Sequence, residues 1–248
     1  MSENRYKNPS LIETVCELRF APATKWGTSS YIRFASLAEK EGFMNLVDAG
    51  EGFQFDFALG PGKPNRPTIK SVPGRIQTWN KDKTELWQAG PELFAANRRS
   101  PYIGWDNFRP HIIKGFDLYR KIAKPKKAAA LVLTYINRIE MDKTTRRPSE
   151  FVQFLPDEFE YADRIVNFGR HTEQSFKDGD KIVIIAGKSL PSEDSGSAII
   201  LNISYTTPSP SLEIDSLKRN IEKAHKRIID AFEKSITELQ RKRMEPYD

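Results

Sequence analysis

One cysteine, Cys16, is all that the 248-residue chain carries. A single thiol excludes an internal disulfide and a cysteine-rich zinc site, and it fits a reducing cytoplasm. Cys16 falls in an alternating apolar stretch, where it reads as a small buried hydrophobe. Long apolar runs are missing as well. Nothing approaches the roughly 20 consecutive apolar residues that span a bilayer, and Met1 to Asn8 has no apolar signal core, so the expectation is a soluble cytoplasmic protein with no membrane partner. Histidine is scarce: His111, His171 and His225 are the full set. No HExxH, P-loop, GxGxxG or GxSxG occurs, which removes the usual supports for zinc hydrolysis, ordinary nucleotide binding and α/β-hydrolase chemistry. Scattered Asp and Glu show no spacing that commits them to a metal. The sequence therefore names no catalytic residue, no metal site and no cofactor, and it places the histidines at the surface or at an interface.

What is present is a foldable chain. Hydrophobic residues make up 38% and charged residues 29%, enough for one large core or two small ones. Four Trp, eight Tyr and fifteen Phe are spread along it, which argues against long disorder. The formal net charge is +6, and the cations are clumped, at Lys63 to Lys70, at Lys121 to Lys127, at Arg146 and Arg147, and at Arg241 to Arg243. Such clumps attract phosphate backbones by counterion release. They also complement the negative ends of helices, with no partner needed.

Periodicity gives the organisation. From Ser211 to about Met244, apolar or small residues at Ile214, Leu217, Ile221, Ala224, Ile228, Ala231 and Ser235 form one helical stripe. Trp105, Phe108, Ile112, Gly115, Tyr119 and Ile122 repeat the pattern, with Asp106 in register with Asp215, Lys114 with Lys223 and Gly115 with Ala224. Pro110 fits the first turn of that helix. Ahead of each helix lies a similar series. Leu11 to Phe20 alternates, with Ile12, Thr14, Cys16, Leu18 and Phe20 on one face, and Ala128 to Met141 holds the same place later. A short amphipathic helix over Tyr31 to Val47 and strands near Phe53 to Phe57, Thr68 to Asn80 and Thr84 to Asn97 fill the first series. A short helix or turn over Pro148 to Phe159 and strands near Asp163 to Phe176, Lys181 to Lys188 and Ser197 to Thr206 fill the second. The reading is α+β, with two similar β-α-β-β-β-α halves, 8–127 and 128–248. Each antiparallel sheet is covered by one long helix. The sheets stand apart or join through their first strands about a pseudo-two-fold axis. The joined form is favoured, because both first strands are apolar and free of proline.

Four stretches carry a resemblance: NPSLIETVCELRF at Asn8 to Phe20, SPYIGWDNFRP at Ser100 to Pro110, LTYINRIEM at Leu133 to Met141, and HKRIIDAFEKSIT at His225 to Thr237. The chain resembles a sporadically distributed bacterial family of about this length that has no assigned activity. Ser10 stands where a second proline is common. The resemblance implies a full-length member, and its patchy occurrence resembles that of genes on mobile or antiviral-defence islands.

Three function classes remain. The leading one is a non-enzymatic binding or regulatory module working through protein contacts, as a homo-oligomer or with a partner in a bacterial defence-type assembly. Its contact surface is an exposed end of the last helix with Phe232, Ile236 and Leu239, or a polar groove on the central strands floored by Glu13, Glu17, Arg19 and Arg138. Charges there must pair or bind something if buried. A nucleic-acid binder is the second class, with Arg98, Arg99, Tyr102, Arg109 and Lys126 stacking bases and holding phosphates. Trp105 has the phase of core packing. The third is a small-molecule sensor or enzyme with a cleft between sheet and long helix, lined by Glu17 or Arg138.

Overall fold

The computed structural model describes residues 6–48, 52–56, 68–72, 74–141, 147–155, 168–189 and 198–247. The expected loop over Gly60 to Pro67, Arg146 and the beginning of the strand expected from Asp163 lie outside these residues. The architecture is α+β, and the described residues form one nine-stranded antiparallel sheet, a separate two-stranded hairpin and four α-helices.

The first strand, β1 (Leu11–Arg19), buries Thr14, Cys16 and Leu18 as the alternation dictates. Its start departs from the expected phase: a register shift against the neighbouring strand between Leu11 and Glu13 turns Leu11 inward and leaves Ile12 exposed. Cys16 is fully buried among apolar neighbours, and that burial pushes its thiol well above the ordinary range. Helix α1 (Thr28–Lys40) follows. It stops earlier than the Tyr31 to Val47 expectation, because Gly42 takes a positive φ of 87° and the chain turns into β2 (Phe43–Asp48). Among the described residues β3 (Gly52–Asp56) and β4 (Thr68–Val72) pair only with each other. Then come β5 (Ile76–Asn80), β6 (Glu85–Ala89) and β7 (Leu93–Arg99). The single strand expected over Thr84 to Asn97 is thus two, joined by a tight turn in which Gly90 N donates to Leu93 O at 2.9 Å.

Helix α2 (Trp105–Ala123) buries Trp105, Phe108, Ile112, Gly115 and Tyr119, the stripe read from the sequence. Pro110 is its sixth residue, beyond the first turn; it is exposed, so the bond its missing N–H forgoes falls on the solvent side. The second series is β8 (Ala130–Glu140), a short 3-10 turn at Pro148–Glu150, β9 (Gly169–Ser175), β10 (Lys181–Lys188), β11 (Ala198–Pro208) and α3 (Ile214–Ser235). A last helix, α4 (Glu238–Met244), closes the chain.

The strand order is β2-β5-β6-β7-β1-β8-β11-β10-β9. β1 and β8 therefore pair at the centre of one sheet, with Glu13 opposite Ile136 and Glu17 opposite Val132. α2 packs on β7, α3 on β11 and β8, and α1 on α2. The core lies between these helices and one sheet face, where Leu18, Trp87, Phe94, Leu133, Leu201 and Ile203 meet Phe108, Phe116, Ile221 and Ile228. A buried carboxylate, Asp180, accepts from Tyr205 Oη at 2.6 Å and ion-pairs with Lys223 Nζ at 2.5 Å, fixing α3 to the sheet.

The single long helix expected from Ser211 to Met244 is broken. Ile236 is extended, at φ −93° and ψ 153°, and bridges Val152, while Gln153 N donates to Ser235 O and Thr237 N to Phe151 O. Thr237 then caps α4 by accepting from Gln240 N at 3.2 Å. The projecting helix end with exposed Phe232 and Ile236 does not exist: Phe232 is 9% exposed and Ile236 fully buried, because the break folds this segment onto the core; Leu239 alone of the three is exposed.

Candidate functional site

Where the central strands pass beneath the start of α2 and the middle of α3, polar and aromatic side chains gather around a cavity of about 70 Å³, open on one side. Alternation along β8 turns Tyr135 and Asn137 toward the helices. The phase of α3 does the same for His225, which sits in the apolar stripe between Ile221 and Ile228. Trp105 opens α2 directly above.

The Trp105 indole lies flat on the His225 imidazole, with centroids 4.1 Å apart and planes within 5°. Tyr135 Oη and His225 Nδ1 share a hydrogen bond of 2.7 Å, and Tyr102 Oη stands 3.4 Å from Tyr135 Oη. Trp105 Nε1 donates to Glu222 Oε2 at 2.8 Å. Burial works to raise the Glu222 carboxyl, but that indole bond and nearby Lys226 outweigh it and hold Glu222 below the usual carboxylate range. Ser10 Oγ donates to Asn137 Oδ1 at 3.3 Å, and Asn137 Nδ2 donates to Leu201 O at 3.3 Å. The opposite wall is apolar, with Pro9, Leu11, Ile229, Phe232 and Met244. At the mouth, Tyr6 Oη donates to the Glu233 carboxylate at 2.9 Å, and Arg241 Nε donates to it at 3.2 Å. Lys7 N and Asn8 N donate to Glu245 O and Met244 O, so both ends of the described chain meet there.

A volume of about 70 Å³ is under half of an engineered cavity that holds benzene. Pockets that bury drug-sized ligands run to roughly 300–1,000 Å³. The site therefore suits one small group with an apolar body. The hydroxyl-imidazole strip is tied up internally and keeps one wall polar.

The residues expected from sequence fall elsewhere. Glu13, Glu17, Arg19 and Arg138 lie on the sheet face opposite the helices. Arg19 pairs with Glu17 at 2.6 Å, and Arg138 pairs with Glu140 at 2.5 Å and reaches Ser189 at 3.1 Å. Glu13 accepts from Asn97 at 2.7 Å, Asn97 from Gln88 at 3.0 Å, and Gln88 from Gln77 at 3.2 Å, a row of amides crossing four strands. These charges find partners along their own face rather than flooring a cleft, and neither Glu17 nor Arg138 lines the cavity between sheet and helix. Arg98 faces the helices, 7% exposed, with Glu85 at 2.9 Å and the Pro101 carbonyl at 3.0 Å, so it is closed to phosphate. Arg99 lies over the Trp79 ring at 4.6 Å, and Arg109 reaches Glu222 at 3.5 Å. Lys126 is exposed. Only Tyr102 and Phe232 of the expected residues border the cavity.

Two histidines also depart from expectation. His111 and His225 are 8% and 4% exposed, since each occupies the buried phase of its helix. That polar residue on an apolar stripe was the signal for His225; Tyr135 and Asn137 gave none beyond strand alternation. Among the described residues no group of three His, Cys, Asp or Glu is placed to hold a metal ion, and no helix is long and apolar enough to cross a membrane. No family model, curated protein or solved structure matches the chain.

Proposed function

We propose that the protein is a non-enzymatic binding module acting through protein-protein contacts, and that the cavity under α2 and α3 is its anchor pocket for one branched aliphatic side chain of a partner. The observation that carries this reading is the cavity's size and shape: about 70 Å³, open on one side, with an apolar wall facing a hydroxyl-imidazole strip. Binding energy at protein contacts concentrates where a side chain fills a desolvated pocket.

The four stretches that resemble the bacterial family support the same place. Pro9, Ser10 and Leu11 come from the first, Tyr102 and Trp105 from the second, Tyr135 and Asn137 from the third, and His225, Ile229 and Phe232 from the fourth. A defence-type setting follows from the resemblance alone. We also read the chain as two like units, 8–127 and 128–248. Support comes from the outward strand orders, β7-β6-β5 from β1 and β11-β10-β9 from β8, and from the long helix that ends each series. The cavity then lies at the seam between them.

N-acetyl-valinamide and N-acetyl-leucinamide, titrated against N-acetyl-glycinamide, test the proposal by NMR of the Trp105 indole and His225 imidazole. Saturable shifts with the branched amides only, lost when Ile229→Trp fills the cavity while the melting temperature is kept, are expected. Equal response to all three amides would overturn it. Saturation by n-butanol but by neither branched amide would replace it with a small-molecule sensor.

A further inference from the structure

The last strand of the sheet, β9, has a free edge among the described residues. Its ladder to β10 runs without a register shift from Gly169 opposite Gly187 to Ser175 opposite Lys181, so the outer edge offers regularly spaced N–H and C=O groups. An edge can be protected by shortness, by charged side chains, of which β9 has Arg170 and Glu173, and by two features that break the ladder itself, a bulge or a proline. Neither occurs in GRHTEQS, whereas the strand at the other end of the sheet, β2, is irregular between Phe43 and Asn45.

Beside this edge, on the helix side, runs a groove of about 390 Å³ between β9 and α3. Phe176, Ile182 and Ile184 line it with apolar surface. Its charged groups are Arg170, Arg227, Lys234 and Asp230. Asp230 is taken by Lys234 at 2.8 Å. Arg170 lies over the Phe154 ring at 5.5 Å and donates to the Phe154 carbonyl at 2.7 Å; Arg227 lies over the Phe176 ring at 4.3 Å. Among the described residues neither arginine has a carboxylate within 4.0 Å, unlike Arg98, Arg109, Arg138 and Arg241, although Arg227 acts at longer range on Asp178 in the β9–β10 turn. Each guanidinium is held on an aromatic face and, beyond the one bond from Arg170 to the Phe154 carbonyl, keeps N–H donors that can receive a carboxylate.

We propose that β9 and this groove bind an acidic extended segment of a partner protein, which adds a tenth strand to the sheet and sets its carboxylates against Arg170 and Arg227. A strand added about 4.8 Å from β9 points alternate side chains to the helix side, next to Arg170, Thr172 and Gln174. Its carboxylates at every second position enter the groove. The residues between them fall on the other face beside His171 and Glu173, where Glu173 is already held by Lys181 at 2.8 Å, so these should be uncharged. This surface is separate from the cavity under α2 and stands or falls without it.

Fluorescence anisotropy with a labelled decapeptide alternating Glu and Thr is the test, at low salt, beside the same peptide with Lys for Glu and a version N-methylated on alternate backbone nitrogens. The Glu peptide should bind saturably, and R170E and R227E should each weaken it about tenfold, with unchanged melting temperatures because both side chains are exposed. N-methylation on the pairing edge should weaken it as much. Absence of saturable binding up to about 1 mM would overturn the proposal. So would equal binding of the N-methylated peptide, which would reduce the contact to charge alone. Binding of oligo(dT) through the same arginines, without the peptide, would overturn it in favour of nucleic acid.

Discussion

Gly115 allows α2 to lie against β6, because a Cβ there would fall inside the Trp87 indole. Trp87 is fixed from both sides: Nε1 donates to the His111 carbonyl at 3.2 Å, and Phe43 stacks on the ring at 3.9 Å. Alanine normally favours a helix over glycine by about 1 kcal/mol. Here Gly115→Ala is expected to reverse that sign and cost about 1–3 kcal/mol by overpacking, as read from urea unfolding. His111, packed beside the stacked Phe43 and Trp87 rings, is desolvated by burial, which Glu85 offsets only in part, and its pKa falls to about 4. The unfolded histidine titrates near 6.5, so the unfolded state binds more protons between the two values. Stability is complete above about 6.5 and falls as pH drops toward 4, by about 3 kcal/mol in all. Denaturant unfolding across that range should show the slope, and H111Q should flatten it. Helical phase foretold the burial of Trp105 and Gly115, whereas the burial of His111 and His225 was missed. Residue type suggested surface, and hydrogen-bond partners 25 to 90 residues away in sequence decided otherwise.

At the scale of elements, alternation and the three-four step marked β1, β8, β10, α2 and the body of α3. The break at Ile236 left no mark, because Phe232, Ile236 and Leu239 continue the helical step through it. A distant bridge to Val152 creates the break, and local periodicity is blind to such a contact. Thr237 holds both sides of that junction, capping α4 and donating to the Glu150 carbonyl. Thr237→Ala should cost about 1 kcal/mol and raise hydrogen exchange in α4 first, while exchange in α2 stays as it was. The end of α1 was misplaced for the opposite reason. Phe43 and Leu46 suit a helix or a strand equally, and the turn at Gly42 settles which.

Across the whole molecule, the antiparallel sheet was legible, and the joining of β1 to β8 followed from the absence of proline and the apolar content of both strands. The candidate site was not. Charged residues on the central strands drew attention to one face, where Glu17, Arg19, Arg138 and Glu140 neutralise one another. The cavity formed on the other face from aromatic and amide side chains that read individually as packing. It exists only because four distant stretches converge at the seam of β1 and β8 beneath two helices. A contact of that order has no local signature. The most direct test of this account is a crystal structure of the protein with N-acetyl-leucinamide at saturating concentration. The isobutyl group should lie between Ile229 and Tyr135, with the Trp105 and His225 rings still stacked. Density for the amide elsewhere, or a cavity closed by Phe232, would contradict it.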